Sequence, residues 1–266
     1  MGDTRPAGMP YPEFANPPVI EVACGVKFEA LPKFRVAHFG LFWAEVRNDF
    51  PRCEHALPMD LDVSSLANLT GIVPRIWLIN HADDRLIQMQ HNRFLYNWRK
   101  RKDDASYPRY ATILPPFRTF FETFSRFVER EGLGEIKPQE FELTYVNHIP
   151  TGPAAEVASN VSRIVFDMDW LAEKHSFLPE PRVLNWHVAF KLPGDAGTLT
   201  AKLNPAKRRG DNADILVLEL TARGLYSQGP LSDMWKWFDL AHDWIVFGFK
   251  DMTTLEAQRD LWGLNG

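Results

Sequence analysis

Residues 75–99 read RIWLINHADDRLIQMQHNRFLYNWR, and the division of this stretch into strands decides the fold. Two apolar-rich runs, Arg75–Asn80 and Arg85–Gln90, flank the four-residue polar link His81 to Asp84. A link of that length suits a hairpin, so the two runs are expected to pair antiparallel. The second run is open to extension through HNRFLYNW, residues 91–98.

Upstream, Val19–Phe28 alternates, with Ile20, Val22, Cys24, Val26 and Phe28 on one side, the pattern of a half-buried strand. Residues 34–50 then place Phe39, Trp43, Val46 and Phe50 at helical spacing before Pro51. A proline-punctuated polar stretch to Pro74 reads as loop. Downstream, residues 115–132 (PPFRTFFETFSRFVEREG) predict a helix opened by proline, closed by Gly132 and buried along a wide face of Phe117, Phe120, Phe121, Phe124, Phe127 and Val128. Phe141–Ile149 predicts a strand with Phe141, Leu143, Tyr145 and Ile149 on one side.

The second half follows a similar plan. RIVFDMDW, from Arg163, is ambiguous between strand and helix; strands are expected from Arg182, Thr198 and Asp214, and a helix from Ser232 to Phe249 carrying Trp235, Phe238, Trp244 and Ile245. Antiparallel strands burying one face against gathered helices define an α+β fold. The expectation is a curved, mainly antiparallel sheet backed by helices, with internal duplication of a β-α-β-β-(β)-α unit. Its parts are an extended arm (1–18), a first unit (19–138) and a second unit (139–266), in one compact body.

Composition narrows the function. The 266 residues are 45% apolar, with nine Trp and nineteen Phe, enough for a sizeable core rich in rings. A net charge of −4 provides no overall field toward nucleic acid or an anionic membrane, so such binding would have to come from local patches. Cys24 and Cys53 are too few for a disulfide framework, which suits a reducing, cytoplasmic setting. The opening MGDTRPAGMPYPEF lacks the apolar run of a signal peptide, and no stretch approaches the roughly 20 apolar residues that span a bilayer. No membrane role is expected.

Chemistry-bearing patterns are sparse. No HExxH, CxxC, Walker loop, GxGxxG or GxSxG occurs, so neither a metal nor a cofactor is expected. Asp167 and Asp169 alternate on one side of a potential strand but lack a third ligand. Glu140 and Glu142 flank Phe141 and share the opposite face. The richest candidate surface runs from Gln88 to Lys102 and on through YPRY at 107–110. It combines the amides of Gln88, Gln90 and Asn97 with Arg93, Arg99 and Arg109, and interleaves Trp98 and Tyr107. Amides offer donors and acceptors together, guanidiniums grip carboxylates or phosphates in paired bonds, and rings stack. A second basic cluster, Lys207, Arg208 and Arg209, follows a strand of the second half.

The segments PPVIEVACGVKF, PRIWLIN, LIQMQHNRFLYNWRK, YPRY and ELTYVNHI together resemble a sporadically distributed family of uncharacterised bacterial proteins of about this length. Its signature corresponds to QxQxxRFxxNWR, here Gln88, Gln90, Arg93, Asn97, Trp98 and Arg99. Sporadic occurrence implies carriage on mobile elements, and hence an antitoxin or an anti-phage defence accessory protein. The family supplies no catalytic residues. The expectation is therefore a non-enzymatic protein-binding component. The alternative is a nucleotide- or RNA-binding protein, with nuclease or phosphodiesterase activity, using Arg93, Arg99, Arg109 and Arg208 in local basic loops.

Overall fold

The structure, a computed structural model, describes residues 10–59, 74–102, 105–151, 157–165, 184–226 and 233–264. Asp167, Asp169 and the end of the ambiguous RIVFDMDW run lie outside the described residues. The strands form a large antiparallel sheet backed by helices, an α+β fold. The chain divides into two compact units: Val22–Glu142 with Leu225–Gly229, and Met1–Glu21 with Leu143–Gly224 and Pro230–Gly266.

The Val22–Glu142 unit contains most of β1 (Val19–Phe28), α1 (Val36–Val46), β2 (Arg52–Ala56), β3 (Arg75–Ile79), β4 (Arg85–Gln90), β5 (Arg93–Arg99) and α2 (Leu114–Arg130). Its strands lie in the order β2-β3-β4-β5-β1. The β3–β4 hairpin is the expected one. The extension through HNRFLYNW is not, because the chain reverses at His91-Asn92 and β5 pairs back on β4, with Gln90 opposite Arg93 and Arg85 opposite Trp98. Backbone bonds hold that turn in place: Phe28 N–H donates to Asn92 O and Leu31 N–H to His91 O. Polar Gln88 and Gln90 already lie buried within β4, so His91-Asn92 reads as a continuation of that strand.

Two further departures have plain causes. β2 falls inside the stretch read as loop, because RCEHA has no apolar alternation and four of its five residues are exposed. In α1 the buried stripe is Phe39, Phe42 and Val46, whereas Trp43 turns outward enough to donate its indole N–H to Phe50 O at 2.8 Å. In α2 Phe117, Phe121, Phe124, Phe127 and Val128 are buried as expected, whereas Phe120 stays half-buried with its ring 5.0 Å from Phe50. Against α2 and α1, Phe94 of β5 stacks on Phe124 at 5.1 Å and meets Phe121 at 5.7 Å and Phe42 at 6.3 Å. Each fully buried Phe contributes about 1.5–3 kcal/mol relative to exposure, so this cluster anchors the helices to the sheet.

The other unit contains most of β6 (Pro138–Pro150), α3 (Val157–Ser162), β7 (Trp186–Lys191), β8 (Thr198–Lys207), β9 (Asp214–Leu225) and α4 (Asp233–Met252). Its strands lie in the order β6-β9-β8-β7. Along β6 the expected face is buried, and Asn147 on the same face satisfies itself by donating to Leu218 O at 2.9 Å. α4 buries Met234, Trp237, Phe238, Ala241, Ile245, Phe249 and Met252. Trp237 therefore takes the core place that the helical spacing assigned to Trp235 and Trp244. The arm is pinned here by Phe14, which is buried edge-on against Phe249 at 5.5 Å. No helix among the described residues is long and apolar enough to cross a membrane.

Candidate binding surface on strands β3 to β5

Register divides the side chains of β3, β4 and β5 into two sets, since directly paired residues of an antiparallel sheet project to the same side. Phe94 faces α1 and α2, so Ile76, Leu78, Ile87, Met89, Tyr96 and Trp98 project with it. The other side receives Trp77, Gln88 and Leu95 in one row, and Ile79, Leu86 and Asn97 in the next. Arg75, Gln90, Arg93 and Arg99 continue it at either end.

Gln88 organises this second face. Its Oε1 accepts from Arg75 Nη1 at 3.0 Å and from Trp77 Nε1 at 3.0 Å, while its Nε2 donates to Asn97 Oδ1 at 2.9 Å. Gln88 and Asn97 are buried, 7% and 2% exposed, whereas Arg75 and Trp77 are half-buried. The guanidiniums of Arg75 and Arg99 both lie against the Trp77 ring, at 5.5 and 5.7 Å from its centroid. Arg99 Nη2 is paired with Asp83 Oδ1 at 3.0 Å. The same carboxylate takes Arg101 at 2.8 Å and Arg52 at 3.6 Å, from a left-handed backbone with φ of 60°.

Arg75 is in a different electrostatic position. No carboxylate among the described residues pairs with it, and its Nε is buried without an acceptor there. Burial, and then the like charge of Arg93, hold its guanidinium below the ordinary value. At the adjoining end of the face, Gln90 Oε1 accepts the backbone N–H of Met59 at 3.0 Å. Arg93 and Leu95 line a shallow depression with Gly25, Val26, Lys27, Glu140 and Glu142. The two glutamates share the face opposite Phe141, and both are half-buried.

Five of the sequence-derived candidates, Gln88, Gln90, Arg93, Asn97 and Arg99, thus lie on one face. Trp98 lies on the other, buried at 5.5 Å from Tyr107, with the Arg109 guanidinium 5.8 Å from the Tyr107 ring. Arg208 belongs to the other unit, where it pairs with Asp211 across a tight turn. Its neighbour Lys207 pairs with Asp214. Arg75, Trp77 and Asp83 were passed over in the sequence. The available signal was register: in a hairpin that pairs Ile79 with Leu86, Trp77 must stand beside Gln88.

No protein-family model matches the chain, and no curated protein matches it either. Among solved structures, the chain is similar to the crystal structure of DynU16, a protein of the dynemicin biosynthetic locus. The identity is 11% over 88% of this chain and 98% of that one, with a TM-score of 0.27. A likeness of that degree carries no argument about fold or function.

Proposed function

We propose that this chain is a non-enzymatic binding component that engages a protein partner in the cytoplasm, as an antitoxin or anti-phage defence accessory protein. The observation that carries the reading is the Gln88 clamp, which holds Arg75, Trp77 and Asn97 in fixed positions on one sheet face. Guanidiniums stay protonated at physiological pH and carboxamides do not titrate, so these groups recognise a surface without moving protons. Trp and Arg held in place are also the side chains that dominate protein interfaces. Internal duplication belongs to the same reading. In each unit the first strand lies beside the last strand of the meander that follows it, β1 beside β5 and β6 beside β9.

The second reading, a nucleotide- or RNA-binding protein, draws on the Trp77 ring flanked by two guanidiniums, which is also a base-stacking platform. Against it stands the local neutralisation of the basic loops, Arg101 by Asp83 and Arg208 by Asp211. The deciding experiment is co-expression with the proteins encoded by adjacent genes. Recovery of a stoichiometric complex that is lost in Gln88→Leu supports the first reading. No partner, together with hydrolysis of a nucleotide, sinks it. Salt-dependent binding to oligonucleotides would instead favour the second.

A further inference from the structure

We propose that Arg75 is the docking point for a single carboxylate of an acidic protein segment, an inference that rests on the binding reading above. Arginines at the far end of these strands are answered from within the chain: Arg99 and Arg101 by Asp83, and Arg52 by Glu54 at 2.9 Å. Arg75 has Gln88 in that place. A carboxamide oxygen fixes the guanidinium as a carboxylate would, but brings no negative charge. The hydrogen bond is made and the charge is left over.

Keeping a cation half out of water, within reach of a second cation, is unfavourable unless an anion arrives. Burial of Arg75 Nε without a described acceptor adds to that cost. The Trp77 ring, 5.5 Å from the guanidinium, supplies a flat wall against which the methylenes of a glutamate would lie. The charge count favours a carboxylate over a phosphate. Among the described residues Arg75 itself pairs with no carboxylate, and Lys207 and Arg208 of the second basic cluster already hold acids. A phosphate chain needs several free cations.

The test is an NMR titration that follows the Trp77 indole N–H and the Arg75 Nε–H. The probes are a short glutamate-rich peptide, its glutamine counterpart of equal length, and inorganic phosphate. The glutamate peptide is expected to shift both resonances saturably and the glutamine peptide to leave them in place. Arg75→Gln should weaken the binding about tenfold or more, the loss expected for a charge-assisted hydrogen bond, and Arg75→Lys should recover part of it. Gln88→Glu, which answers Arg75 internally, should abolish it.

Equal shifts with the glutamine peptide, a wild-type titration in Arg75→Gln or Gln88→Glu, or phosphate binding at Arg75 at least as tightly as the peptide each overturn the proposal. Indole signals of the other tryptophans report whether each variant is folded. If the peptide fails while the partner complex still depends on Gln88, the carboxylate is wrong and the binding surface stands. If the complex is also absent, both fall.

Discussion

The side-chain nitrogen of Gln88 lies 2.9 Å from the side-chain oxygen of Asn97, joining two buried carboxamides across the β4–β5 hairpin. The orientation of Gln88 is dictated, because Arg75 and Trp77 can only donate and so require its oxygen. Replacing Gln88 with Leu removes the acceptor of two donors and the donor of one acceptor in a single step. A loss of about 2–3 kcal/mol is expected, read as a lower urea midpoint with an unchanged slope. A change below a few tenths would show that water serves these groups equally well.

Two glycines should respond in opposite directions. A Cβ on Gly224 would stand 2.1 Å from Trp237 Nε1 and 2.4 Å from Ala196 O, inside the 2.8 Å bond those two atoms make. Gly224→Ala is therefore expected to cost about 3 kcal/mol or more. Gly40 sits within α1, and a methyl group placed there would meet nothing within 4 Å, so Gly40→Ala should gain about 0.5–1 kcal/mol. Thermal unfolding of the two variants beside the parent checks both signs.

Acid should destabilise the fold through His242. Burial pushes its imidazole down to about 4 from 6.5, and its Nδ1 lies 3.0 Å from the Tyr145 hydroxyl. The folded state thus favours neutral imidazole more than the unfolded state does. Its contribution is full above pH 6.5 and is lost as pH falls from there through about 4. The loss is of the order of 1–3 kcal/mol. His242→Gln should flatten the stability–pH curve across that window; an unchanged slope would assign the dependence to other groups.

The two thiols should be distinguishable by reactivity. Cys53 is exposed on β2, whereas Cys24 is buried in β1, where desolvation raises its thiol well above the ordinary value. A disulfide reagent at neutral pH is expected to modify one thiol of the folded protein quickly and the second only on unfolding. Fast reaction of both would mean that β1 opens locally.

How far the sequence carried depended on whether a residue obeyed a period. The α2 stripe and Phe141–Ile149 repeat or alternate cleanly because each buries one face, and their structures follow, whereas β1 forms as expected but is buried on both sides from Val22 to Val26. β2 was illegible because an exposed strand needs no apolar pattern. The His91-Asn92 turn was hidden because Gln88 and Gln90 are buried polar residues inside β4, so the polar run from Gln90 to Arg93 did not stand out from the strand before it. The site was half legible: the density of amides and arginines in Gln88–Arg99 drew notice, but Arg75 and Trp77 come from a neighbouring strand. Only the pairing of Trp77 with Gln88 brings them in.

Asp83, in the link between β3 and β4, ties down Arg52, Arg99 and Arg101 from a left-handed turn. That link is therefore not interchangeable with other hairpin loops of its length. Lengthening it by one residue would carry the carboxylate away by about 3.3 Å, beyond the reach of all three cations at once. Anyone transplanting the β3–β4 hairpin into another scaffold would have to bring the ends of β2 and β5 along with it, and natural variation at the four loop positions should be narrower than their exposure suggests.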